Sequence, residues 1–63
     1  MERIDGMLQT PDGYWRVEVV RSGRDVWYRI RHAETIVAEK ASIATVQRIL
    51  EEDFAKLQQV DAA

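Results

Sequence analysis

Two stretches of alternating apolar and polar residues constrain the fold of this chain more than any other feature. They run from Tyr14 to Arg21 and from Val26 to His32, on either side of a loop that contains Gly23. Because successive side chains of a strand point to opposite faces, this pattern predicts two paired antiparallel strands with one apolar face. The residues predicted to face the core are Trp15, Val17, Val19, Val26, Tyr28 and Ile30.

A turn signal precedes the first of these stretches. Thr10-Pro11-Asp12-Gly13 combines a proline, whose φ is fixed, with a glycine that can adopt a positive φ. We therefore predict a hairpin that joins a short strand, from Arg3 to Gln9, to the alternating stretch that follows. Within that short strand, Ile4 and Leu8 are expected to share a face.

The remainder of the chain predicts a fourth strand and then a helix. The β-branched run from Thr35 to Glu39 favours a strand with Ile36 and Ala38 toward the core. A helix is expected from about Ser42, as its N-cap, to Gln58. Apolar residues at helical spacing form the stripe that would cover one face of the sheet: Ile43, Val46, Leu50, Phe54 and Leu57.

These elements predict a single α+β domain over residues 1–63. Its architecture is an antiparallel meander of three to four strands, followed by one C-terminal helix that packs on one sheet face. A chain of 63 residues can bury one modest core and no large cleft. The sequence contains no cysteine and no apolar run of transmembrane length, so we expect a cytoplasmic protein that does not contact membranes.

The sequence shows no pattern typical of a catalytic or metal-binding site. The single histidine, His32, has no companion histidine or cysteine that could complete a zinc site or a nucleophilic triad. The acidic residues Glu51, Glu52 and Asp53 occupy consecutive helical positions. Their side chains point about 100° apart and therefore cannot coordinate the same ion. We therefore expect no enzymatic activity, no cofactor, no metal and no small-molecule substrate.

The face of the sheet opposite the helix is the candidate binding surface. Alternate positions place Tyr28 and Ile30 on the core face of the sheet. The positions between them place an aromatic residue and several arginines on the opposite face. The residues predicted to contact a partner are Trp27, Arg29, Arg31, Arg16 and Tyr14. Five arginines against two acidic residues lie between Tyr14 and His32, although the whole chain has a net charge of −2.

Three interpretations of this surface remain open. Tryptophan, tyrosine and arginine are enriched at protein interfaces, which favours a protein partner or self-association. Arginines that neutralise phosphates beside a stacking aromatic would also suit a nucleic acid. The third interpretation involves no partner: Trp27 packs across strands on a solvated face, where the aliphatic parts of arginine side chains shield it.

The stretch Gly13-Tyr14-Trp15-Arg16-Val17-Glu18-Val19, followed by Gly23 and Val26-Trp27, resembles the plant AP2 and phage integrase N-terminal DNA-binding domains. Those domains place a sheet before a helix and read DNA with strand arginines and tryptophans. The resemblance covers about a third of the chain. This sequence differs by having the predicted strand from Thr35 to Glu39 and by being acidic. The resemblance implies nucleic-acid binding as the alternative function.

Overall fold

The alternating segments form strands in the computed structural model, which describes residues 1–60. The strands are β1 (Glu2–Gln9), β2 (Trp15–Ser22), β3 (Asp25–His32), β4 (Thr35–Ala41) and β5 (Gln58–Gln59). Between β4 and β5 lie the helix α1 (Ile43–Leu50) and a 3-10 helix (Glu51–Lys56). The strands form one antiparallel sheet in the order β4-β3-β2-β1-β5.

The predicted α+β class and the antiparallel meander are confirmed, but the predicted number of strands is wrong. The sheet has five strands instead of three to four. The additional strand, β5, pairs Gln58 and Gln59 with Gln9 and Leu8 of β1. The sequence predicts that the last residues, Val60 to Ala63, fray, but the amide of Val60 donates to the carbonyl of Met7 at 2.9 Å. The rest of that prediction, residues 61–63, lies outside the described residues.

The core lies between the sheet and α1, as the alternation predicts, except that Val26 near the start of β3 is 45% exposed instead of facing the core. Val17 and Ile30 of the sheet and Val46 of the helix are fully buried, and Ala41 and Leu50 are nearly so. Partly buried apolar residues surround this centre: Leu8, Trp15, Tyr28, Ala38, Ile49, Phe54 and Leu57. One face of the sheet is thereby buried, and the opposite face is left without a helix.

The predicted single helix from Ser42 to Gln58 is wrong at its C-terminal end. Ser42 is the N-cap, and its Oγ accepts a hydrogen bond from the Thr45 amide at 3.3 Å. The α-helix ends at Leu50, where Glu51 adopts φ 52° and ψ −122°. Because α1 packs on β3 and β4, the chain must turn to bring the following residues across to β1 and β5. Ile43, the first residue of α1, is 45% exposed, so it does not take part in the buried stripe that was predicted.

The backbone of Glu51 supports a prediction about stability. A positive φ with a strongly negative ψ is rarely adopted by residues other than glycine and carries a strain of about 1 to 3 kcal/mol. We expect Glu51→Gly to stabilise the fold by about 1 kcal/mol, which raises the Tm by about 4 to 8 °C. Arg48→Gly, within α1, is the control and should lower stability by about 1 kcal/mol. A lower Tm for Glu51→Gly in thermal denaturation would contradict this prediction.

Two irregularities in strand pairing correct the predicted faces of β1 and β4. The β1–β2 register shifts between Ile4 and Gly6, so Ile4 lies opposite Val20 and Leu8 lies opposite Val17. These two residues therefore lie on opposite faces instead of sharing one. In β4, the register shifts again, and Ile36 lies opposite Arg31 of β3 with 44% of its surface exposed.

The predicted turn between β1 and β2 is confirmed. The amide of Gly13, whose φ is 78°, donates to the carbonyl of Thr10 at 2.9 Å. Asp12 Oδ1 accepts from the Thr10 hydroxyl at 2.6 Å and from the Tyr14 amide at 3.0 Å. Thr10 Oγ1 in turn accepts from the Trp15 amide at 3.2 Å. These bonds satisfy the hydroxyl of Thr10, which is almost fully buried at the base of an exposed turn.

This turn makes part of the stability dependent on pH. The Thr10 hydroxyl, and then the Tyr14 amide, hold the pKa of Asp12 below its ordinary value of 3.8 because both donate to the ionised carboxylate. A lowered pKa in the folded state means that this stabilisation is complete above pH 3.8 and is lost as the pH falls through the folded pKa. The Tm difference between the wild type and Asp12→Asn should therefore close on acidification below that pH. A difference that stays constant down to about pH 2 would contradict this assignment.

Candidate helix-free face

The side of the sheet opposite α1, called the helix-free face below, is built from four cross-strand rows. Alternation and strand register place its residues in neighbouring positions on β1, β2 and β3, with one contribution from β4. The first row is Glu2, Ser22 and Asp25, and the second is Ile4, Val20 and Trp27. The third row is Met7, Glu18 and Arg29, and the fourth is Gln9, Arg16, Arg31 and Ile36.

An ion-pair network centred on Glu18 holds the middle of this face. Glu18 Oε1 accepts a hydrogen bond from Arg31 Nε at 3.2 Å and lies 3.7 Å from Arg29 Nη1. Arg29 Nη2 also lies 3.6 Å from Glu2 Oε2. The side chains of Glu18 and Arg29 are only 11% and 18% exposed, so water screens their interaction weakly. Both arginines are therefore ordered and largely neutralised by acids of the same chain.

Trp27 is the aromatic residue of this face, and it is partly covered. It lies opposite Val20, which is fully buried although the alternation of β2 places it on the face opposite the core. Lys40 Nζ lies 4.5 Å from the centre of a Trp27 ring, a distance at which a cation is attracted to the aromatic face. Trp27 thus contributes to a small apolar cluster on the sheet surface and keeps part of its ring accessible.

A shallow depression lies beside Trp27. It has a volume of about 240 Å³ and is lined by Glu2, Trp27, Arg29, Glu39 and Lys40. Arg29 Nε is buried next to it and has no hydrogen-bond partner among residues 1–60. Two acidic and two basic side chains balance each other around the depression, so the lining favours no single sign of charge.

The structure brings together four of the five predicted site residues and separates the fifth. Arg29, Arg31 and Arg16 occupy adjoining rows, and Trp27 lies one row beyond Arg29. Tyr14 precedes β2, is 58% exposed, and stacks on the His32 ring with 5.9 Å between centroids. Since five residues of an extended strand span about 17 Å, the His32 end of β3 is remote from Trp27.

Sequence reasoning missed the acidic and basic partners that organise this surface. Alternation along β2 places Glu18 on this face, but its burial and its contacts to two arginines were not predicted. The signal was available, because the two-residue turn Gly23-Arg24 aligns Ser22 with Asp25 and therefore Glu18 with Arg29. The position of Lys40 over Trp27 had no such signal, since it depends on the irregular pairing of β4.

Within residues 1–60, no group of three or more histidine, cysteine or acidic side chains could hold a metal ion. The same residues include no helix with the length and apolar character needed to cross a membrane.

Comparisons of this chain with protein-family models, with curated proteins and with solved structures gave no match. The resemblance to plant AP2 and phage integrase domains is therefore without support from these comparisons.

Proposed function

We propose that this chain is a small non-enzymatic binding module whose helix-free face contacts protein, either a separate partner or a second copy. The observation that carries this proposal is that Glu18 and Glu2 together pair with Arg29 and Arg31 in the middle of the face. A surface of mixed charge around an accessible tryptophan matches the composition of protein interfaces better than it matches a polyphosphate chain.

The apolar residues of the same face add to this support. Trp27 is accessible in part, and Ile4 and Ile36 are 46% and 44% exposed. Burying such side chains against a partner gains roughly 25 cal/mol for each Å² of apolar surface removed from water. Trp27 is the expected anchor, while Arg16, Arg29 and Arg31 supply hydrogen-bond donors around it. A cytoplasmic setting is part of the proposal and is favoured by the cysteine-free sequence.

Site-specific photocrosslinking in cells tests the proposal. A photoreactive side chain is introduced at Ile36, on the helix-free face, or at Ile43, on α1; these isoleucines are 44% and 45% exposed. We expect covalent protein adducts from position 36 and few from position 43, and we expect Trp27→Ala to abolish the adducts at position 36. Equal yields at the two positions would contradict the proposal. Far-UV circular dichroism of each variant verifies that it folds.

Nucleic-acid binding is the second candidate, and Arg16 favours it. This arginine is exposed and forms no ion pair with any residue of the described range 1–60, so its charge is free to meet a phosphate. The candidate predicts that binding of short single-stranded DNA or RNA weakens with salt, with a slope of about −0.7 for each phosphate neutralised. Arg16→Ala should reduce that slope. Sedimentation without any shift on adding either nucleic acid at low salt would exclude this candidate.

A further inference from the structure

Arg29 pairs with two acids but forms hydrogen bonds to neither. Its Nη1 lies 3.7 Å from Glu18 Oε1, and its Nη2 lies 3.6 Å from Glu2 Oε2. Both distances exceed the usual N–H···O range of about 2.7 to 3.2 Å. The Nε of Arg29 is buried and has no hydrogen-bond partner within residues 1–60. Buried donors of charged groups are seldom left unpaired, so this Nε lacks an acceptor that its burial would normally require.

Two other arginines of the sheet bind their acids through Nε. Arg31 Nε donates to Glu18 Oε1 at 3.2 Å, and Arg21 Nε donates to Asp5 Oδ2 at 2.9 Å. The side chain of Arg29 is 18% exposed, compared with 33% for Arg31 and 43% for Arg21. The most buried of these three side chains is therefore the one whose Nε has no acceptor.

The edge of the Arg29 guanidinium that lacks hydrogen bonds borders the depression beside Trp27. Nε–H and one N–H of Nη2 point along the same edge of the planar group, whereas Nη1 lies on its other side, toward Glu18. Glu2, which lies near Nη2, also lines the depression. An edge of this kind receives one carboxylate through two parallel hydrogen bonds.

We infer that an acidic side chain of the protein partner enters this depression and binds the Nε and Nη2 edge of Arg29 in place of Glu2. The inference rests on the proposed function and gives the chemistry of its partner. Glu2 can give way because its side chain is 59% exposed and approaches Arg29 only to 3.6 Å. Once Glu2 turns to solvent, the charged lining consists of two cations and one acid. The depression then attracts a negative group.

A protein carboxylate fits this depression better than a nucleic-acid phosphate does. A nucleic acid brings a chain of phosphates, and Glu39 and the displaced Glu2 would repel those next to the bound one. An acidic side chain brings a single charge, and its methylene groups can pack on the Trp27 ring. Lys40, whose Nζ lies 4.5 Å from the centre of that ring, adds a second positive charge for the carboxylate.

An NMR titration with blocked amino acids tests the inference. The probes are N-acetyl-glutamate N-methylamide and its glutamine counterpart, which has the same shape without the charge, at constant ionic strength. We expect the glutamate probe to shift the Arg29 Nε and Trp27 indole resonances saturably, with a Kd of about 10 mM. Trp15 packs against the core on the other side of the sheet, so its indole resonance should not move. The glutamine probe should shift none of these resonances.

Glu2→Gln is the most informative variant, because it removes the carboxylate that the partner is inferred to replace. We expect it to tighten binding of the glutamate probe by about threefold or more. Asp25→Asn is the matched control, since it makes the same charge change in the same cross-strand row but outside the lining of the depression. Screening by salt should keep its effect on the Kd below about twofold. Circular dichroism verifies that each variant is folded.

A glutamate probe that gives no saturable shift with the wild type or with Glu2→Gln would overturn the inference. Equal tightening by Glu2→Gln and Asp25→Asn would also overturn it, because the effect would then come from net charge. So would saturable shifts at Arg29 with inorganic phosphate but not with the glutamate probe. The proposed function fails separately, when crosslinking at Ile36 and Ile43 is equal. Adducts at Ile36 without carboxylate binding would retain the proposed function and reject an acidic partner.

Discussion

Replacing Ile30 with alanine is expected to remove about 2 to 5 kcal/mol of folding free energy. Ile30 is fully buried in β3, where it packs within the cluster that joins the sheet to α1. A chain of 63 residues has a total stability of only about 3 to 9 kcal/mol. Ile30→Ala should therefore leave a substantial unfolded fraction at 25 °C, measured by urea denaturation followed through tryptophan fluorescence.

Ile36 provides the matched control for this prediction. It is the same residue type in the adjacent strand of the same sheet, but 44% of its surface is exposed. Because the Ile36 side chain buries less apolar surface on folding than Ile30 does, Ile36→Ala should lower the free energy of unfolding by less than about 1 kcal/mol. Equal losses for the two variants would show that the core does not lie between the sheet and α1.

The second large effect is expected from Glu18→Ala. This change removes the carboxylate that pairs with both Arg29 and Arg31, and it leaves Arg29, only 18% exposed at its side chain, with Glu2 at 3.6 Å. Leaving a largely buried charge without its partner should destabilise the fold by about 2 kcal/mol. The same variant should increase the mobility of both arginines, measured by the relaxation of their Nε resonances.

Glu39→Ala is the control for the ion-pair network. Glu39 is exposed, lies beside the same depression, and forms no ion pair within residues 1–60, so its removal should change stability by less than about 0.5 kcal/mol. If Glu18→Ala lowers stability no more than Glu39→Ala does, the ion-pair network does not hold the helix-free face in place.

Much of the sheet could be predicted from the sequence because its signals are local. Alternation around Val17 and Ile30, the Thr10 to Gly13 turn and the Ser42 cap each reflect neighbouring residues, and all three are confirmed. The break at Glu51 and the short strand β5 depend on the width of the sheet that the chain must cross. Helical spacing continues through Phe54 and Leu57, so periodicity alone predicted an unbroken helix.

The candidate site was predictable to a similar depth. Alternation correctly placed Trp27, Arg29 and Arg31 on the face opposite the core. It could not predict that Glu18 would be nearly buried between arginines, because that depends on how long side chains lie across neighbouring strands. Tyr14 was assigned to this face by extending the alternation of β2 beyond its first residue, where the turn redirects the side chain toward His32.

Because the chain has no cysteine, a single introduced thiol can report directly on whether the helix-free face is covered. Arg16→Cys places the thiol on that face, and Arg48→Cys places it on the exposed side of α1. The alkylation rate of each variant is compared between living cells and dilute purified protein. If the helix-free face is covered in cells, the ratio of the alkylation rate in cells to the rate in purified protein should be several-fold lower at position 16 than at position 48. Equal ratios at the two positions, or a lower ratio at position 48 alone, would contradict the proposed role of this face.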